Sequence, residues 1–222
     1  VRRRAKLLMI DLDRGLTLFV HLGMTGRFRL LPRGADVHRH ARVVFDFGRR
    51  GLLALEDMRK FGRIRLRPTS ESAAVLSGHG YGPEPLDPGF TPTVLAKRLS
   101  RCPRKGIKAA LLDQSCLAGI GNIYADESLW RAGIRPDRSV SSLKPDEIKV
   151  LRRSIVQSLK LAIRHRGTSS RDFFDLYGTP GDNADRLKAY GRDGLPCSRC
   201  HWPMRKDRVA GRGTHWCDRC QK

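Results

Sequence analysis

The last stretch of the chain, "CSRCHWPMRKDRVAGRGTHWCDRC", constrains the fold more than any other. Cys197, Cys200, Cys217 and Cys220 follow the pattern C-x2-C-x16-C-x2-C. Each CxxC brings two thiolates within reach of one ion, and the arm between the pairs must fold back as a hairpin to complete the set. Four soft sulfur ligands in a tetrahedral arrangement select zinc. A closed four-sulfur site has no open position for a substrate, so such an ion is scaffolding. His201 and His215 are surplus to the ligand count, and Cys102 and Cys116 lie apart as buried or idle thiols. Near the tip of the arm Arg212 stands between Gly211 and Gly213. Glycines there permit positive φ or a close backbone approach to a surface. Arg212 is then either an arginine presented at a defined place by the metal-stiffened hairpin or a mobile surface side chain.

Charge says what such an arginine would meet. In 222 residues there are 44 Lys and Arg against 22 Asp and Glu, a formal net charge of +22. An excess of that size repels itself, and a polyanion relieves it, which points to nucleic acid as the partner. Arginine outnumbers lysine, which suits two-pronged contacts to phosphate oxygens. No apolar stretch approaches the ~20 residues that span a bilayer, and no secretory signal pattern is present. These features predict a cytoplasmic protein with no membrane partner.

The period of the apolar residues changes along the chain. "KLLMIDLD", "LTLFVHL", "RFRLLP", "ARVVFDF", "GLLALED" and "RIRLRP" read as six short strands of an antiparallel sandwich or barrel. Val43, Phe45 and Phe47 alternate with Arg42, Val44 and Asp46, and Ile64 and Leu66 are expected to face a core opposite Arg63, Arg65 and Arg67. Gly78 to Pro92, thick in Gly and Pro, reads as a linker. Beyond it "TPTVLAKRLSR", "GIKAALLDQ" and "IGNIYADESLWRAG" read as helices. The longest helical signal is "PDEIKVLRRSIVQSLKLAIRHRG", with Ile148, Leu151, Ile155, Leu159 and Ala162 on one stripe. The reading is an α+β chain: a β-sandwich domain over 1–90, a helical domain over 91–184 and a zinc-finger hairpin over 185–222.

Three further stretches bear on chemistry. In "AGIGNIYADESLW", Gly119 and Gly121 make a tight turn and Asn122 stands where a helix begins. Amides at a helix N-terminus with an Asn side chain suit a phosphate, although Asn is also an ordinary N-cap. "HLGMTG" and "EDMRKFG" place Met24 and Phe61 near turns, the second beside Arg59 and Lys60. Apolar side chains next to basic ones suit a protein that unstacks and bends DNA; plain core packing is the alternative for either residue alone.

Taken in order, "RRRAK", "HLGMTGRFRLLP", "DMRKFG", "GPEPL", "IKAALLDQ", "AGIGNIYADESLWRAGIRPDR", "AYGRDGLPCSRC" and "AGRGTHWCDRCQK" closely resemble the bacterial formamidopyrimidine-DNA glycosylase family of the Fpg/Nei superfamily. The resemblance covers essentially the whole chain. It implies an antiparallel β-sandwich followed by a helical domain with a helix-two-turn-helix and a four-cysteine zinc finger. The implied function is DNA base-excision repair by a bifunctional glycosylase and abasic-site lyase, which flips an oxidised purine such as 8-oxoguanine out of duplex DNA. Met24, Arg59 and Phe61 match residues that fill the vacated space, with Arg59 facing the orphaned cytosine. Asn122 and Arg212 match phosphate ligands, and His38, otherwise an exposed loop histidine, matches a DNA-contacting one. Lys6 matches a proton donor in β-elimination and Arg212 is associated with δ-elimination. Residues 169–181 match the segment that closes over the flipped base. One zinc ion, a monomer and a bacterial, nucleoid-associated location are implied.

The chain departs from that pattern at its start. The family's nucleophile is the amine of an N-terminal proline, which attacks C1′ and forms a Schiff base, and the glutamate that follows it handles protons. Neither residue is present, and Val1 falls where the family is already inside its first domain. The expectation is therefore an N-terminally truncated enzyme; the alternative is a non-catalytic damaged-DNA-binding protein with the same clamp. An RNA-associated zinc-ribbon protein explains the charge and the cysteines but not "HLGMTG" or "GIGNIYADE".

Overall fold

Strand-forming and helix-forming sequence fall into different parts of the chain, and a computed structural model, which describes residues 1–169 and 173–222, divides it into two compact units. The first comprises Val1–Val75 with Ala162–Asp185, the second Leu76–Leu161 with Arg186–Lys222.

Among the described residues the first unit has seven antiparallel strands in two sheets. One sheet runs β1 (Arg2–Arg4), β2 (Leu7–Leu12), β3 (Leu16–His21) and β7 (Arg63–Pro68) in that order; the other runs β4 (Arg27–Leu31), β6 (Leu52–Glu56) and β5 (Ala41–Asp46). All six strands expected from sequence are present. Period-2 alternation aims Leu18 and Val20 from the first sheet and Phe28 and Leu55 from the second into one core, with Ile10, Val43, Phe45 and Ile64 packed against it. A register shift between Ala41 and Val43 marks a bulge in β5.

Two inward-facing expectations fail. Leu66 is 50% exposed on the sheet's edge strand, and Phe47, 55% exposed, lies just past the end of β5. The strand β1 and the short helix α1 (Ser72–Gly78) were also not read from sequence. β1 is three arginines, apolar on neither face, and it is ordered by pairing with β2.

The second unit holds α2 (Pro92–Leu99), α3 (Ile107–Leu112), α4 (Asn122–Ala132) and most of α5 (Pro145–Arg164), followed by the hairpin β8 (Arg205–Val209) and β9 (Arg212–Trp216). Leu95, Leu99, Ile107, Leu111, Leu129, Leu151 and Ile155 form its core. Thr91 caps α2 by accepting from the Val94 amide at 3.2 Å, ahead of a first-turn proline. In α5 the Glu147 carboxylate reaches back to the Lys144 amide at 2.8 Å and takes both prongs of Arg138 at 2.6 and 3.0 Å. That acidic cap is worth more than a surface ion pair because it also satisfies a helix-end donor. Gly167, at φ +97°, closes the far end by donating to the Ala162 carbonyl at 2.8 Å. Among the described residues no helix is long and apolar enough to cross a membrane.

Leu129 is fully buried at the centre of this core. Leu129→Ala should lower unfolding free energy by about 2–5 kcal/mol, read from urea denaturation with zinc present. Val150→Ala, at a 38% exposed position of α5, should stay within about 0.5 kcal/mol.

Candidate nucleic-acid interface

In the first unit two turns are laced together by one carboxylate. Asp57, only 1% exposed, accepts from the Thr25 hydroxyl at 2.5 Å, the Gly62 amide at 2.7 Å and the Arg59 amide at 3.2 Å. Burial alone would raise this carboxyl; the Thr25 hydroxyl and the amides of Gly62, Arg59 and Phe61 outweigh it and hold the group below the ordinary carboxylate value. Gly23 sits at φ +68° so close to Phe61 that a Cβ there would meet the Phe61 backbone at 2.8 Å. The turn carrying Met24 and the turn carrying Arg59 and Phe61 are therefore fixed against each other.

What they present is unusual for a surface. Met24 is 57% and Phe61 51% exposed, and Arg59 lies between them. The Arg59 guanidinium stacks 4.7 Å from the Phe61 ring centroid, and its Nη1 donates to the Met24 sulfur at 3.3 Å. Plain core packing is excluded for both apolar residues. The three form one ordered, outward-facing stack.

The other residues expected to act in this unit are placed less distinctively. His38 is exposed, with its Nδ1 accepting from the His40 amide at 3.2 Å and its ring 5.2 Å from that of His40. Lys6 is exposed in the turn between β1 and β2. Of the 169–181 segment, residues 170–172 lie outside the described residues. In the rest, Asp175 accepts from the amides of Tyr177 and Thr179 at 2.9 and 2.8 Å, Leu176 accepts from the Leu30 amide, and Tyr177 is 77% exposed.

In the second unit α4 is the support. Its N-cap is Gly121 and Asn122 is its first residue, with Gly119 at φ +85° in the turn before it. Gln114 shapes that turn, its amide nitrogen donating to the Leu112 and Ile120 carbonyls and its oxygen accepting from the Gly119 amide. Asn122 does not cap its own helix. Its Nδ2 donates to the Gly213 carbonyl at 2.9 Å, which leaves the second N–H of that amide beside the helix N-terminus, where an anion is favoured.

Gly213 brings in the zinc-finger hairpin. β8 and β9 are joined by the two-residue turn Ala210–Gly211, at φ +52° and +71°, the doubly left-handed kind that matches strand twist. Arg212 is the first residue after it and is exposed. Behind Arg212, Lys108 of α3 and Asp126 of α4 form an ion pair of 2.5 Å, both side chains fully buried. The Lys108 ammonium also donates to Thr214 Oγ1 at 2.7 Å and the Gly213 carbonyl at 3.3 Å. Burial pushes the Lys108 amine below its ordinary value against the pull of Asp126, and the neighbouring Arg212 charge pushes the same way. Asp126 Oδ2 accepts from the His215 amide at 3.0 Å and lies 3.4 Å from His215 Nδ1. Lys108 and Asp126 were not singled out from sequence, where each reads as an ordinary helical charge.

The far end of α4 carries the metal site. Arg199 donates to the Trp130 and Arg131 carbonyls at 2.8 and 2.9 Å and stacks 4.0 Å from the Trp130 ring. Glu127, 3% exposed, accepts from the amides of Lys188, Ala189 and Tyr190, the segment leading into the finger. The Sγ atoms of Cys197, Cys200, Cys217 and Cys220 lie within 4.8 Å of one another, with Cys197 to Cys220 at 3.9 Å and Cys200 to Cys217 at 3.5 Å. Sulfurs about 2.3 Å from a tetrahedral zinc stand about 3.8 Å apart, so the donor set fits that ion.

Three family models match the chain. The "Formamidopyrimidine-DNA glycosylase N-terminal domain" matches residues 1–64, the "Formamidopyrimidine-DNA glycosylase H2TH domain" residues 81–174, and the "Zinc finger found in FPG and IleRS" residues 194–222. A formamidopyrimidine-DNA glycosylase of Herpetosiphon aurantiacus is 49% identical and one of Roseiflexus sp. 45% identical, the match spanning 100% and 99% of this chain and 80% of each relative. Among solved structures, a complex of Lactococcus lactis Fpg with abasic-site DNA superposes with a TM-score of 0.93 at 36% identity, and one of the same protein with N7-benzyl-Fapy-dG DNA with 0.93 at 37%. Each covers 100% of this chain, which covers 80% of that chain. The N-terminal domain model matches from residue 1 of this chain. The four cysteines hold one structural zinc ion.

Two outcomes test this arrangement. The folded-state value of Asp57 lies below its unfolded one, so its stabilisation is complete above about pH 4 and is lost as pH falls through the depressed value. Exchange protection of the Gly62 amide should persist at pH 5 and vanish only in stronger acid, and Asp57→Asn should remove it at neutral pH. Lys108→Ala strands a buried carboxylate and should cost about 3–5 kcal/mol, whereas the double change Lys108→Met with Asp126→Leu should cost less in the same denaturation assay.

Proposed function

The chain belongs to the formamidopyrimidine-DNA glycosylase family, and we propose that it serves base-excision repair by removing oxidised purines from duplex DNA. The observation that carries this reading is the exposed Met24–Arg59–Phe61 stack held by Asp57. A folded protein gains nothing by ordering two large apolar side chains in water. Against DNA they gain a stack of bases to enter.

The parts divide the work. Arg212, on the zinc-stiffened hairpin, and the start of α4 with Asn122 grip phosphates on the backbone of bent duplex. Phe61 wedges the base stack, Met24 fills the gap left by the flipped nucleotide, and the Arg59 guanidinium offers its donors to the orphaned cytosine. His38 adds a backbone contact. Lys6 supplies a proton during β-elimination, and Arg212 acts in δ-elimination. Zinc, held by Cys197, Cys200, Cys217 and Cys220, fixes the hairpin and takes no part in bond breaking. The partner is double-stranded DNA containing an oxidised base, engaged by a monomer in the bacterial cytoplasm at the nucleoid.

Duplex with 8-oxoguanine opposite cytosine should bind more tightly than its undamaged counterpart; once the family's N-terminal proline and glutamate are supplied ahead of Val1, the protein should also release the modified base, and borohydride should trap a protein–DNA adduct. Preferential binding with neither release nor adduct would establish the non-catalytic reading instead. Arg212→Ala should weaken binding of the damaged duplex and reduce the slope of log affinity against log salt by about 0.9, the share of one phosphate. An unchanged slope would return Arg212 to an ordinary surface arginine.

A further inference from the structure

Two thiols of the second unit belong neither to the metal site nor to the DNA-facing groups. Cys102 follows α2, and Cys116 lies in the turn between α3 and the Gly119–Gly121 corner. Both are free cysteines, and both line one open pocket of about 470 Å³. Arg98, Arg101, Arg104 and Lys105 share that lining; Asp113, the carboxylate there, is consumed by Lys105 at 2.7 Å. Three arginines are left to give the pocket its sign.

The thiols differ in access. Cys102 is half-buried, its Sγ donating to the Leu99 carbonyl at 3.4 Å, while Cys116 is 6% exposed and sits in the apolar core with Cys102 packed against it. Burial pushes the Cys116 thiol up to about 12, and the adjacent Cys102 pushes in the same direction. Cys102 is thus the accessible attacking sulfur and Cys116 the buried resolving one.

We propose that Cys102 and Cys116 are a reversible dithiol, closed to a disulfide by an acidic low-molecular-weight disulfide that the arginine-lined pocket admits. The Cys102 thiolate attacks one sulfur of the reagent RSSR, a protein–S–S–R bond forms, and RS⁻ leaves. The Cys116 sulfur then attacks that of Cys102, the Cys102–Cys116 bond forms, and the second RS⁻ leaves. Two protein thiols lose two protons and two electrons; RSSR gains them and becomes two RSH. The new bond ties the turn after α2 to the segment whose shape Gln114 sets ahead of Asn122, so closure reaches the phosphate-facing start of α4.

The test uses the zinc-loaded full chain, with oxidised glutathione as the acidic disulfide and cystamine as a cationic one. Each rate is normalised to that reagent's rate with a simple thiol. Oxidised glutathione should produce a cross-linked Cys102–Cys116 peptide pair about 2 Da lighter than the reduced peptides, reversed by dithiothreitol. Its normalised rate should exceed that of cystamine by about fivefold at low salt and converge with it at high salt. Cys116→Ser should accumulate a glutathione adduct on Cys102, and Cys102→Ser should form no cross-link. The closed form should bind duplex DNA with an affinity different from that of the reduced form, a difference absent in Cys102→Ser. Oxidation confined to the four zinc cysteines, a Cys102 adduct that persists in the unsubstituted chain, equal normalised rates, or identical DNA affinity in both redox forms would each overturn the proposal.

Discussion

A lysine and an aspartate buried together behind a hairpin carry the hairpin side of the second unit. Neither charge could stay inside alone, because an unpaired ion there costs several kcal/mol. Lys108 and Asp126 solve this by dividing the hairpin backbone between them, the ammonium taking Gly213 and Thr214 and the carboxylate taking the His215 amide. The segment that follows Arg212 is thereby specified from beneath, residue by residue. Zinc determines that a finger exists; this pair determines where the finger lies on its own helix.

The same device recurs wherever a functional side chain must stand out. Asp57 gathers a hydroxyl and several amides so that Met24, Arg59 and Phe61 can be held in solvent. Glu127 gathers three consecutive amides of the segment leading into the finger, although burial lifts its carboxyl above the ordinary range. In each case a buried carboxylate substitutes for the apolar packing that an exposed group cannot have. Exposed recognition elements are rigid here because their backbones are saturated from within.

Local patterns made much of this visible in advance. The cysteine spacing, the alternation that drives Val43 and Phe45 inward and the stripe that buries Leu151 and Ile155 are properties of short windows, and they were legible. The turns that carry Met24 and Phe61 were visible too, but whether those side chains pack inward or stand in solvent was left open by the sequence and decided by the Asp57 contacts. Leu66 misled because alternation assigns a face without saying whether anything covers the edge of a sheet. β1 was invisible because three arginines acquire strand geometry only from the neighbour they pair with. Lys108, Asp126 and the Asn122 contact to Gly213 were out of reach for a different reason: each joins residues about a hundred positions apart, and no local period encodes such a pairing.

Helix α4 is also a ruler. Its first residue holds the hairpin carbonyl beside Arg212, and the carbonyls of its last turns are clasped by Arg199, which lies between two of the zinc ligands. Eight to nine residues separate those grips, roughly 12–14 Å at the usual rise of a helix. Adding or deleting one residue would shift one grip against the other by about 1.5 Å and turn it through about 100°. The interval between ion and guanidinium is therefore set by a count of peptide units, which makes α4 tolerant of changes in composition on its outer face and intolerant of any change in length.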